Sequence, residues 1–188
     1  MFIRGFFKLK FDVSSAMIKQ DLTSDCSNCA ALCCVVFAFD KSESFAVDKA
    51  AGEVCANLDG SNRCRIFAER ETLGFRGCMT YDCHGAGQRV TQEVFGGRSW
   101  RNDPGLTSRM GAALSVMRRV HEQLLMLRTA EKFPLDPAER ETARMLVDSL
   151  SPGTGWTEQS LKTFAIDAAS RKVATFLRSL RHHVTNAS

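Results

Sequence analysis

Eight cysteines carry the chemistry that this chain can be expected to do. They are Cys26, Cys29, Cys33, Cys34, Cys55, Cys64, Cys78 and Cys83, all within 58 residues of a 188-residue chain. None follows in the last 105 residues. The first four form the run Cys26-Ser-Asn-Cys29-Ala-Ala-Leu-Cys33-Cys34, a C-x2-C-x3-C-C pattern. Two cysteines three apart on a tight turn can bring both sulfurs to one metal, as in zinc and iron–sulfur sites. Cys33 falls a further turn along and can reach the same ion. Cys33 and Cys34 are adjacent and should point in different directions, so they should serve different sites, or one should be core. Eight thiols can make two four-thiolate sites, one cluster with structural cysteines to spare, or a site with a redox thiol pair. Spacing does not separate zinc from iron, since both take tetrahedral thiolate sets.

The opening residues decide against the disulfide reading of these thiols. Arg4, Lys8, Lys10 and Asp12 interrupt every apolar run of residues 1–15. A secretory signal needs an unbroken apolar stretch of about 7–15 residues, and a membrane span about 18 or more. The expectation is therefore a cytoplasmic protein with reduced thiols, where dense cysteines bind metal or act in catalysis more often than they cross-link. Phe2, Phe6, Phe7 and Phe11 alternate with basic residues. That segment reads as an element packed on the core rather than as a membrane-surface helix.

Other candidate groups are weaker. His84 directly follows Cys83 and can act as a ligand or as a donor to a thiolate. Asp82 reads as a turn carboxylate that accepts backbone bonds. His121 falls near the apolar stripe of a long helix and reads as a packing residue, while His182 and His183 near the C-terminus read as solvated. Gly85-Ala-Gly87 lacks the third glycine and the preceding strand of a nucleotide fingerprint, so it reads as a tight turn beside the cysteines. No Ser-His-Asp arrangement can be argued from the spacing. A binding protein is expected over an enzyme.

The elements that position these groups fall into three zones. Residues 1–22 show the alternation Phe7, Leu9, Phe11, Val13, which fits a brief strand. Residues 23–103 hold the cysteines and most of the turn signals, and predict loops and short elements around a site. Residues 104–188 read as three helices. The spacing of Met110, Ala113, Leu114, Met117, Val120, Leu124 and Leu127 predicts a helix over 107–130. A second is predicted over 137–150, carrying Met145, Leu146 and Leu150 and opening at Asp136-Pro137. A third is predicted from Thr157, an N-cap, with Leu161, Phe164, Ala165, Ala168, Phe176, Leu177 and Leu180 on its stripe. The fold class expected is a small irregular α-rich domain: a loop-built cysteine site buttressed by about three C-terminal helices, the whole chain forming one domain.

Composition fits this reading. Hydrophobic residues make up 44% and charged residues 24%, which excludes long disorder, collagen and coiled coil as whole-chain descriptions. The net charge of +4 is mild and does not point to nucleic acid. It divides unevenly, net −1 over residues 1–83 and net +5 over residues 84–188. Basic residues at a helix C-terminus complement its dipole, and an anionic or protein partner at the helical end is the alternative use.

The run Cys26–Cys34 resembles the signature of the YkgJ-type CxxCxxxCC family, described as zinc- or iron-chelating domains. The downstream pattern is also similar: Lys49, then Gly52-Glu-Val-Cys55, Cys64-Arg-Ile66-Phe67, Arg70 and Cys78. The resemblance covers residues 24–83. Residues 74–101, with Gly74-Phe75-Arg-Gly77-Cys78, Tyr81-Asp82-Cys83-His84-Gly85-Ala86-Gly87-Gln88 and Phe95-Gly96-Gly97-Arg98-Ser99-Trp100-Arg101, are similar to the N-terminal region of bacterial pentapeptide-repeat proteins. No repeat solenoid follows here, since Ala56-Asn57-Leu58-Asp59-Gly60 is a single unit. The resemblance implies a metal-chelating protein that holds zinc or iron, including a [4Fe-4S] cluster, in an accessory or structural role. Some members of the CxxCxxxCC type are lysine N-methylases thought to use an iron–sulfur cluster, which gives a modifying enzyme as the alternative. A zinc-stapled interaction module is the third reading.

Overall fold

The computed structural model describes residues 17–185. The strand expected at residues 7–13 lies outside the described residues. The chain is helix-rich: α1 Cys33–Val36, α2 Gly77–Thr80, α3 Ala86–Arg89, α4 Leu106–Ala130, α5 Pro137–Leu150, α6 Glu158–Thr163, α7 Ile166–Ser179 and α8 Arg181–Thr185. Among the described residues, extended pairing is limited to two isolated antiparallel bridges, Phe39 with Lys49 and Leu58 with Cys64. No helix among them is long and apolar enough to cross a membrane.

The central element is α4. Its expected stripe is buried throughout, and Leu106, Gly111, His121, Gln123 and Ala130 join it. Around it pack α1, α3, α5, α6 and α7. Gly111 lets α1 approach closely, since a Cβ there would meet both Val36 methyls at 3.3 Å. The core takes Leu22 from the lead-in, residues such as Leu32, Val35 and Val90 from the cysteine-rich part, and residues from the C-terminal helices alike.

Helix α5 begins at a capping box between Asp136 and Glu139 with Pro137 at its first position. Its inward residues are Ala143, Val147 and Leu150. Met145, expected on the stripe, is 55% exposed, because it sits two residues from Ala143 and so near the opposite face. The single third helix is also corrected. Thr157 caps α6 as expected, but Phe164 takes an extended conformation and α7 starts afresh at Ile166. Leu161 and Ile166 are both buried. In an unbroken helix, five residues would turn them about 140° apart. The break lets both face α4.

Candidate metal centre

One face of the segment after Gly85 grips the C-x2-C turn. The Gln88 carboxamide accepts from the Asp25 N–H at 2.8 Å and donates to the Thr23 carbonyl at 2.7 Å. The Thr91 hydroxyl accepts from the Ala30 N–H at 3.0 Å, and Gln92 donates to the Asn28 carbonyl at 2.8 Å. Positions 88, 91 and 92 share a face by helical spacing. The Trp100 indole completes the grip by donating to the Ala30 carbonyl at 2.6 Å. Within the turn, the Asp25 carboxylate caps Cys26–Asn28 by accepting from the Ser27 N–H. Ala31 then adopts a left-handed φ of 53°, a conformation costly for a side-chain-bearing residue and found where a site demands it. That reversal starts α1 at Cys33.

The sulfurs converge across the sequence. A Cβ on Gly87 would lie 2.8 Å from Cys29 Sγ and 3.7 Å from Cys83 Sγ. Glycine at this position is what admits both sulfurs against α3. Ser24 Oγ lies 3.1 Å from Cys83 Sγ and donates to Asp82 at 2.5 Å. Cys33 Sγ and Cys34 Sγ are 3.9 Å apart. This corrects the expectation that adjacent cysteines serve separate places: although consecutive helical residues point about 100° apart, the two sulfurs at the start of α1 stay within contact. Cys33 is the junction of the whole set. It lies within electrostatic reach of Cys26 and Cys29, as Cys83 does, and of Cys78, as Cys55 and Cys64 do. The backbone supports the second group, with the Cys55 N–H donating to the Cys34 carbonyl at 2.9 Å.

All eight cysteines are unbridged. Burial pushes the thiols of Cys29 and Cys78 up to about 11 and raises that of Cys26. Cys33 is raised well above its ordinary range, first by the hydrogen bond it shares with Cys34 and then by burial. At neutral pH these groups hold their protons until a cation displaces them.

Two cations flank the sulfurs. Lys49 is 5% exposed, and its ammonium donates to the carbonyls of Val35, Phe37 and Ala50 at 3.2, 2.6 and 3.0 Å. Its field acts on Cys55, Cys34 and Cys33. Arg70 donates to the carbonyls of Phe67 and Cys78 at 2.8 and 3.1 Å, and its charge favours the thiolate forms of Cys26 and Cys78.

The hydroxyl of Tyr81 is buried and has no hydrogen-bond partner. Burial is the main reason its ionisation is pushed far up, and the charges of Cys83, Cys33 and Cys29 add to this. A buried O–H left beside three thiols is a donor that a thiolate would satisfy. The donor set, the Gly87 cradle and this orphaned hydroxyl all fit a thiolate-bound metal. The sulfurs are not drawn into a tight knot. Among the described residues, the one trio of metal-capable side chains whose ligand atoms all lie within 4.8 Å of one another is Glu139, His182 and His183.

His84 lies with Nδ1 3.5 Å from Asp82, and Asp82 accepts from the His84 N–H at 2.7 Å, the turn role expected of it. His121 is fully buried, as a packing residue should be. Ser24, Thr91, Gln92 and the Tyr81 hydroxyl are contributors that reading the sequence missed. The only signal for Thr91 and Gln92 is polar spacing along 88–92, which a solvated helix face shows equally, and Ser24 and Tyr81 lie outside that stretch.

No protein-family model matches the chain, and no solved structure matches it. A curated relative, the uncharacterized protein YybG of Bacillus subtilis (strain 168), is 34% identical over 160 residues. The match takes in 85% of this chain and 57% of the relative, so the chain spans a little over half of that protein's length.

Proposed function

We propose that this chain is a metal-centre domain in which the eight cysteines hold more than one metal atom, with an accessory or structural role. The observation that carries the reading is the meeting of Cys29 and Cys83 sulfurs over Gly87, from segments 54 residues apart in the sequence. Buried thiols with raised ionisation are poor partners for one another and good ligands once a cation takes their protons. One tetrahedral ion takes four thiolates; eight thiols joined through Cys33 provide for more. The likeness to zinc- or iron-chelating CxxCxxxCC domains supports the same reading.

Spacing favours an iron–sulfur cluster over separate zinc ions. Thiolates each about 2.3 Å from one zinc lie within about 4 Å of each other. Here the Cys33 and Cys34 sulfurs are 3.9 Å apart, and among the described residues no three cysteine sulfurs lie within 4.8 Å of one another. A cluster takes one thiolate at each iron and suits a wider set. When bound, it would supply a one-electron couple or a rigid staple. The chain itself contributes the thiolates, the Lys49 and Arg70 charges, and the Tyr81 hydroxyl as a donor.

Anaerobic purification followed by metal and sulfide analysis tests this. Brown protein with iron and acid-labile sulfide is the expected result. Colourless protein with two zinc ions would keep the thiolate centre and overturn the cluster. Folded protein without metal, in which a thiol reagent counts eight free thiols, would overturn the whole reading.

A further inference from the structure

Far from the cysteines along the chain, Glu139 in the first turn of α5 meets His182 and His183 of α8. His183 Nε2 is 2.9 Å from Glu139 Oε2, and His182 Nε2 is 3.3 Å from Glu139 Oε1. The ligand atoms of all three lie within 4.8 Å of one another. This corrects the expectation that His183 is solvated, whereas His182 is exposed as expected. The side chains of Glu139 and His183 are only 15% and 11% exposed, while His182 is 53% exposed and leaves one side open to water.

From this cluster we infer a second metal site, independent of the cysteines, in which Glu139, His182 and His183 bind one divalent transition-metal ion of the zinc class. Two imidazoles and a carboxylate are ligands that such ions accept, with remaining positions filled by water. The surrounding contacts orient the ligands. His182 Nδ1 is 2.9 Å from the Ser179 carbonyl. An N–H there directs the Nε2 lone pair toward Glu139, the tautomer-fixing contact that metal-bound histidines make. The His183 ring stacks on Phe133 at 5.9 Å with planes 11° apart. Glu139 is itself anchored, because Oε2 accepts the Asp136 N–H at 2.9 Å. That bond, followed by the one to His183, holds the Glu139 carboxyl below its ordinary range, so it is anionic at neutral pH. A proton can reconcile one histidine nitrogen with this carboxylate. A dication reconciles both nitrogens at once and leaves the Ser179 contact intact.

Cobalt(II) titrated into the full chain, with its cysteine centre as purified, distinguishes the two kinds of site. The expected result is one further equivalent bound, with weak visible d–d absorption, no growth of thiolate charge-transfer absorption, and paramagnetic shifts of two imidazole C–H resonances. H182Q and H183Q should each weaken cobalt at least tenfold, and the double variant should lose that equivalent. E139Q, which keeps an acceptor for Asp136, should do the same without loss of helical circular dichroism. E141Q, on the same helix, should change nothing. Overturning results are an unchanged equivalent in the double variant, absorption growing only in the thiolate band, or imidazole resonances that respond to pH and ignore cobalt.

Discussion

His121 Nδ1 lies 2.5 Å from the carbonyl oxygen of His84. This contact fastens α4 to the loop that carries Cys83. The other ring nitrogen faces the Arg89 guanidinium at 3.4 Å, so the ring donates through Nδ1 and accepts through Nε2. Arg89 is in turn paired with Glu93 at 2.8 Å. The ring is neutral in this network, and burial holds its pKa down to about 4 from an ordinary 6.5. Between those values the unfolded chain binds the proton and the folded chain does not. Stability therefore falls as pH drops from about 6.5 toward 4 and levels off below, by about 3 kcal/mol from this group. Urea melts at stepped pH should show that slope, and His121→Gln, which cannot titrate, should flatten it.

Gly87→Ala separates folding from metal binding. Alanine in a helix interior is favoured over glycine by roughly 1 kcal/mol, so α3 itself gains. The new methyl would lie 2.8 Å from Cys29 Sγ and must push that sulfur away. The expected outcome is retained helical circular dichroism with bound metal per chain reduced by half or more. Equal metal content in variant and parent would remove Gly87 from the site.

The long helix α4 was legible because its apolar stripe repeats from Met110 to Leu127, about five turns, with His121 and Gln123 the polar exceptions among its buried positions. The cysteines were legible as ligand types, since eight thiols in one stretch admit few other uses. Their partition was not, because Cys83 reaches Cys29 through the packing of α3, which no local spacing encodes. Thr91 and Gln92 were invisible for the same reason: their partners are backbone groups more than 60 residues away. The break at Phe164 escaped notice because no proline or glycine marks it; the demand comes from Leu161 and Ile166 both needing α4. Met145 was misplaced because a methionine among charged residues invites burial, although Ala143 and Val147 define the face.

Lys49→Met tests whether the buried ammonium is structural. Methionine keeps the length of the stem and removes the donors. The Phe37 carbonyl then loses its donor, while those of Val35 and Ala50 keep the Gly52 and Glu53 N–H groups. One unsatisfied buried acceptor makes a loss of roughly 1–3 kcal/mol the expected result by denaturant melts. The cation also lies in the field of Cys33, Cys34 and Cys55, so metal should dissociate faster from whatever fraction folds. A variant as stable as the parent would show that water reaches that carbonyl.

Metal uptake should depend steeply on pH. Cys29 and Cys78 hold their protons up to about 11 in the metal-free protein. Each thiol that must ionise releases a proton on binding, so apparent affinity rises about tenfold per pH unit per thiol over the range where the thiol is protonated. Competition with a chelator at pH 6.5, 7.5 and 8.5 measures this. Cys29→Ser should reduce the slope and lower both bound metal and melting temperature. A flat profile would mean that the thiols are already ionised and that burial does not govern them.

Tyr81→Phe should act in opposite directions on the two states of the protein. Without metal, the Tyr81 hydroxyl is buried and has no partner, a situation that costs roughly 1–3 kcal/mol. Removing it should therefore leave metal-free protein as stable as the parent or about 1 kcal/mol more stable. With metal, the same hydroxyl, which is within electrostatic reach of Cys29, Cys33 and Cys83, would donate a hydrogen bond to a thiolate. Its loss should weaken metal severalfold, and if iron is bound, shift the reduction potential downward, since a donor to sulfur stabilises the reduced form. A variant that is less stable without metal and unchanged with it would show that the hydroxyl packs against the sulfurs and does not bond to them.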